Sequence, residues 1–141
     1  MDELHIEDFC KDTACTLLTL YKRFPVKTTV YVEDICGPDT PDDFGLHSPR
    51  HMAGFGAIAW LAEEGIVRYA EALRQEAFEE LILTQESFLH LAAQVPSTES
   101  VQSRANELHD MLRDASSITL RDYILALLNA LATFTSKSYA E

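Results

Sequence analysis

The stretch Ser48–Glu64, SPRHMAGFGAIAWLAEE, most limits what this chain can fold into. Ser48 suits a helix N-cap, and Pro49 falls at the first helical position, where a missing N–H costs nothing. Gly65 supplies a stop. Between those ends the helix is apolar on nearly every side; its polar residues, Arg50, His51, Glu63 and Glu64, sit at the ends. Met52, Phe55, Ala59 and Ala62 share one face, with Ile58 and Leu61 beside it. The remaining face, where solvent is expected, carries Ala53, Gly54, Ala57 and Trp60. A helix this apolar needs cover from other elements or from a partner. Gly54 and Gly56 each cost up to ~1 kcal/mol against Ala in a helix interior, tolerable where something packs closely.

The rest of the chain has to supply that cover. At 141 residues, 47% hydrophobic and 24% charged, it can bury a core without disulfides, as one domain or as a small domain with a helical extension. Three cysteines, Cys10, Cys15 and Cys36, are an odd number and not a disulfide framework. The start, MDELHIED, is acidic where a secretory leader is basic and then apolar. No apolar run approaches the ~20 residues of a membrane span. These features together predict a cytoplasmic protein. The net charge is −12, and residues 1–95 hold 7 Lys/Arg against 17 Asp/Glu. Nucleic-acid affinity comes mainly from cations neutralising phosphates, so the charge has the wrong sign for it.

Apolar residues at Ile6, Phe9, Cys10, Ala14, Leu17, Leu20, Tyr21 and Phe24 follow helical spacing and predict a first helix over 3–24, ended by Pro25. Lys27–Glu33 has strand composition, and Cys36–His47, with two Gly, two Pro and three Asp, reads as a loop. Residues 66–83 are ambiguous. Their periodicity suits a helix, whereas Ile66–Tyr69 and Leu81–Thr84 look like two short strands. Thr84 caps a helix over 85–94, with Phe88 and Leu89 inward. Ser97 opens another, with Val101, Ala105, Leu108 and Leu112 on one face. Thr119-Leu-Arg-Asp122 has capping-box form for a last helix. Its broad apolar face, Leu120, Tyr123, Ile124, Leu127, Leu128, Leu131 and Phe134, calls for packing on the domain or on another chain.

Two segments, Trp60-Leu-Ala-Glu-Glu-Gly65-Ile-Val-Arg-Tyr69 and Leu81-Ile-Leu-Thr84-Gln-Glu-Ser-Phe-Leu, together with the order of elements, resemble the winged-helix family of helix-turn-helix domains over residues 6–93. The resemblance implies a mainly α fold with a small β-hairpin wing over the ambiguous stretch. The winged-helix-like domain would occupy 1–95, with a helical pair over 96–141. It makes Ser48–Glu64 the recognition helix and implies DNA binding, with Arg50, His51, Arg68 and Arg74 as the available contacts. The family's second helix has little room, because the Pro/Asp-rich loop takes its place. Base readout requires Arg, Lys, Asn or Gln at base edges, and the helix offers only Arg50 and His51 near its start.

Other chemistries are thinly supported. Cys36, His47 and His51, with Asp39, Asp42 and Asp43 nearby, supply three N/S metal ligands but lack the usual second cysteine, and Ser48-Pro49 breaks the helix between the histidines. No metal or other cofactor is expected. No G-x-S-x-G elbow, P-loop or H-E-x-x-H occurs, so no enzyme is expected. The residues favour a non-enzymatic protein acting through protein–protein contacts, a homodimer through its last helices. Trp60, which reads either as core or as an interface anchor, joins Tyr123, Leu127, Leu128, Leu131 and Phe134 as interface candidates. A DNA-binding regulator is the alternative. A weaker one is a DNA mimic using acidic residues such as Asp39, Asp42 and Asp43.

Overall fold

A computed structural model describes residues 1–97 and 100–139, the side chains of 134–139 excepted. The chain begins with α1 (Leu4–Arg23), β1 (Thr28–Tyr31), α2 (Val32–Cys36) and α3 (Pro49–Glu63). Three strands follow, β2 (Val67–Arg68), β3 (Glu71–Leu73) and β4 (Ala77–Leu83), then α4 (Gln85–Ala92). The hairpin pair β5 (Gln94–Pro96) and β6 (Val101–Ser103) leads into α5 (Arg104–Asp114) and α6 (Ser117–Tyr139). The architecture is mixed: helices around a small antiparallel sheet, with a second two-stranded pairing.

The hub is α1 rather than α3. It is packed by α2, α3, α5, α6 and β4. Cys10, Ala14, Leu17, Leu18 and Leu20 are buried along it, together with Asp12, Thr13 and Thr16. The Thr16 hydroxyl donates to the Asp12 carbonyl at 2.8 Å, which satisfies one of these polar groups locally. At its C-terminal end, Phe24 stacks on Phe88 of α4 at a centroid distance of 4.0 Å.

The ambiguous stretch forms three strands, with a turn at residues 74–76. β4 is the central strand, paired antiparallel with β1 on one edge and with β2 and β3 along the other. Ala77, Phe78, Leu81, Ile82 and Leu83 are buried, so the β4 positions pack into the core and override the helical propensity of the preceding stretch. Phe78 is gripped by Phe55 of α3, stacked at 4.9 Å, and by Tyr69, edge-on at 4.9 Å. The predicted strand over 27–33 is shorter than expected. It ends at Tyr31, and Val32 and Ile35 turn inward as the buried side of the one-turn helix α2.

α3 has the predicted ends. Ser48 Oγ accepts from the His51 backbone N–H at 3.2 Å, and Gly65 follows the helix at φ +74°. Its faces differ from the sequence reading. Gly54 and Ala57 are buried, and Met52 is exposed. α2 causes this. A Cβ on Gly54 would lie 2.9 Å from Cys36 Sγ, so only glycine lets the two helices approach this closely. Gly56 has nothing within 4 Å of a would-be Cβ and faces outward.

Several tail boundaries are also corrected. Gln94–Pro96 pairs with Val101–Ser103, so the helix predicted from Ser97 starts only at Arg104, and Val101 is an exposed strand residue. Ser103 is the cap, its Oγ accepting from Asn106 N–H at 3.0 Å. Ser116 caps α6, accepting from Thr119 N–H at 3.2 Å, so the Thr119 box lies inside the helix. Thr84 does precede α4, but its hydroxyl donates to the carbonyls of Gly65 at 2.8 Å and Ile66 at 3.1 Å, closing the base of the hairpin onto the end of α3. Leu89 faces outward.

The apolar face of α6 packs on α1. Leu120, Ile124, Leu127 and Leu131 belong to the same buried cluster as Cys10, Leu17, Ile58 and Phe78. Of the two destinations open to that face, it takes the domain.

Candidate functional site

Three elements converge at the start of α3: the loop 37–48, the first turn of α3, and the hairpin tip at residues 74–76. His47 joins all three. Its Nδ1 lies 2.8 Å from Asp39 Oδ2, and its Nε2 bonds to the Glu76 carboxylate. A carboxylate opposite each ring nitrogen favours the doubly protonated form of His47. Its pKa is raised, first by Asp39 and then by Glu76. Asp39 is pulled down to about 2, first by hydrogen bonding from Ser48 and then from His47. The Ser48 backbone N–H donates to the same Asp39 Oδ2 at 3.2 Å.

His51 lies beneath, 1% exposed, its ring stacked on His47 at 3.8 Å with 11° between planes. The His51 Nε2–H donates to the Gln75 carbonyl at 2.8 Å, so the ring's other nitrogen, Nδ1, is the one turned away from the hairpin backbone. That Nδ1 is buried and has no hydrogen-bond partner. One donor atom each from Asp39, His47 and His51 lie within 4.8 Å of one another. The helix break at Ser48-Pro49 does not separate the histidines, because the rings stack across it. Cys36, the third N/S ligand weighed from sequence, is not in the cluster: its thiol donates to the Val32 carbonyl at 3.3 Å, and burial raises its pKa.

Arg50 faces the other way. Its guanidinium makes a two-pronged contact with Asp12 of α1, at 2.8 and 2.7 Å. Asp12 is 1% exposed, so Arg50 neutralises a carboxylate inside the hub helix. Of the four predicted phosphate contacts, Arg50 and His51 are thus engaged within the fold, and Arg68 and Arg74 are exposed on β2 and the hairpin tip. Asp42 of the acidic loop accepts from the N–H groups of Phe44 and Leu46, each at 2.9 Å, and shapes a turn.

The outward line of α3 is Met52, Gly56 and Trp60, with Ala53 alongside. Met52 is 39% exposed and Trp60 40% exposed, the indole resting edge-on against Phe9 of α1 at 5.5 Å. A cleft of 240 Å³ opens beside Trp60, bordered by Glu64, Ile66, Glu86, Leu128 and Leu131. Three predicted interface residues, Trp60, Leu128 and Leu131, therefore meet at one place. The others do not. Leu127 is buried in the chain's own core, and the Tyr123 hydroxyl donates to Glu107 of α5 at 2.8 Å, which together with burial pushes its pKa up. The Phe134 side chain lies outside the described residues.

No family model, curated protein or solved structure matches the chain. Among the described residues no helix is long and apolar enough to cross a membrane.

Proposed function

We propose that this chain is a non-enzymatic, winged-helix-like module that binds a protein partner through the outward side of α3 and the cleft beside Trp60. One observation carries the reading: α3 turns Arg50 and His51 into the fold and presents Met52, Ala53, Gly56 and Trp60 outward. Half-exposed aromatic and methionine side chains beside a cleft are the usual anchors of protein interfaces, whereas a DNA-reading helix needs polar side chains that reach base edges. The winged-helix part draws support from the order of elements, with α3 ending at Gly65 and running into a hairpin whose last strand leads through Leu83-Thr84 into α4. Glu64 and Glu86 beside the cleft, on a chain of net charge −12, favour a partner segment with an apolar anchor flanked by Lys or Arg.

A second copy of the chain is the first partner to test. The buried face of α6 is occupied by the chain's own core, so a homodimer would use the Trp60 side and Leu128 instead. Light scattering of the wild type and of Trp60→Ser reads this directly, and a monomer mass at high micromolar concentration removes the homodimer. For other partners, a protein retained by the wild type and lost with Met52→Asp plus Trp60→Ser, with far-UV circular dichroism unchanged, supports the reading. DNA binding is measured by polarisation with duplex fragments at low and moderate salt. Specific binding that disappears in Arg68→Ala plus Arg74→Ala overturns it in favour of a DNA-binding regulator.

A further inference from the structure

We infer that Asp39, His47 and His51 form a binding site for a divalent first-row transition ion, of which Zn²⁺ is the probe of choice. The inference is independent of the protein-binding role. The donor set is two imidazoles and one carboxylate, the type that holds Zn²⁺ or Fe²⁺ with a remaining position for water. One donor atom from each of the three residues already lies within 4.8 Å of the others.

The second observation is His51 itself. Its ring is 1% exposed, and Nδ1, the nitrogen not engaged with Gln75, is buried without a partner. Leaving a buried acceptor unpaired costs about 1–3 kcal/mol in general, and a bound cation removes that cost. The other nitrogen donates to the Gln75 carbonyl at 2.8 Å. Metal-ligating histidines are held in this way, the distal N–H on a backbone carbonyl or a carboxylate fixing tautomer and ring orientation. His47 has the same arrangement through Nε2 and Glu76, with Nδ1 turned to Asp39. Both outer supports are therefore in place, one carbonyl and one carboxylate, from neighbouring residues of the hairpin tip.

Charge balance agrees. A dication between Asp39 and the histidines takes the place of the proton that Nδ1 of His47 shares with Asp39. Its two positive charges then balance the carboxylates of Asp39 and Glu76. The change required is local. Donors of a tetrahedral site with bonds of ~2.0–2.2 Å stand roughly 3.3–3.6 Å apart, so the 2.8 Å contact between His47 Nδ1 and Asp39 Oδ2 opens slightly and the wider separations close by up to about an ångström. His51 is held by α3 and by the Gln75 carbonyl, so the adjustment falls on His47 and Asp39 of the loop.

The test starts from protein stripped with a strong chelator and dialysed, titrated with Zn²⁺ by calorimetry. One equivalent bound with micromolar or tighter affinity is expected, with a rise in Tm. Asp39→Ala and His47→Gln, both on the loop side, should each weaken binding at least about 10-fold, and Glu76→Gln by about 10-fold at unchanged stoichiometry. Co²⁺ should give visible d–d absorption in the wild type that is lost in His47→Gln. Circular dichroism establishes that each variant is folded. Absence of stoichiometric binding, or wild-type affinity retained in Asp39→Ala and His47→Gln, overturns the site and leaves a salt-bridged latch in its place.

Discussion

Arg50→Ala separates a structural arginine from a DNA-reading one. Arg50 grips Asp12 through two bonds of 2.8 and 2.7 Å, with Asp8 further out at 3.6 Å. The Asp12 side chain is 2% exposed and that of Arg50 is 35% exposed. Removing one partner of a buried ion pair costs ~3–5 kcal/mol, because the other charge stays buried and unpaired. Here water can enter where the half-exposed guanidinium was, so the expected loss is about 2–3 kcal/mol. For a chain of this size that is a fall in Tm of roughly 6–12 °C. Urea and thermal denaturation, followed by far-UV circular dichroism, measure it. The double variant Asp12→Leu plus Arg50→Met, which removes both charges at similar volume, should regain most of the loss. Arg68→Ala and Arg74→Ala should stay within ~0.5 kcal/mol of the wild type. An Arg50→Ala protein as stable as the wild type, or a double variant no better than the single, would refute the argument. Loss of DNA binding in Arg50→Ala would therefore say little unless folding is measured beside it.

The same substitution two positions apart on α3 should have opposite signs. Gly54→Ala forces a Cβ to 2.9 Å from Cys36 Sγ, and overpacking of ~1–3 kcal/mol outweighs the helix-propensity gain of ~1 kcal/mol. Gly56→Ala, with open space around it, should stabilise by up to ~1 kcal/mol, and chemical denaturation of both variants reads the contrast. Leu127→Ala should cost about 2–5 kcal/mol by the same measurement, whereas Leu125→Ala, on the exposed side of α6, should stay within ~0.5 kcal/mol. His90 has its pKa lowered from 6.5, by burial first and then by Arg104, which donates to its Nδ1 at 3.1 Å and to its carbonyl at 2.6 Å. The folded state thus binds this proton less readily than the unfolded chain. Its share of stability is full above pH 6.5 and is lost as pH falls through 6.5 towards the folded value. His90→Gln should flatten that part of the stability profile, and identical slopes for the two proteins would count against the assignment.

Punctuation was the most legible part of the sequence. Ser48, Pro49 and Gly65 delimit α3, and Pro25 follows α1. Orientation was less legible. α1 is covered on several sides, so Leu18, Thr13 and Thr16 are buried outside the stripe that periodicity picks out. α3 is apolar all round, and a helix without a polar face gives no sign of which side is inward. The close approach of α2, a five-residue element with no periodicity to read, decided it. The stretch 70–80 favours helix locally and is a hairpin because β4 packs between β1 and its own hairpin partners, a long-range outcome. At the candidate site the two histidines and the upstream Asp39 were visible in sequence, but not that Asp39, rather than Cys36, Asp42 or Asp43, is the one beside them. It reaches His47 across a loop whose path depends on tertiary contacts. Asp12 likewise carries no local mark of its pairing with Arg50.

The hairpin is fastened to α3 at both ends, by the Thr84 hydroxyl at its base and by His51 and His47 at its tip. Helix and hairpin therefore meet any partner as a single rigid tile. The ordering cost of association, ~0.5–1.5 kcal/mol for each side chain immobilised, is then confined to a few surface groups such as Met52 and Trp60. Encounter should proceed at the ordinary ~10⁵–10⁷ M⁻¹s⁻¹ of preformed surfaces, with no slow conformational gate in the kinetics.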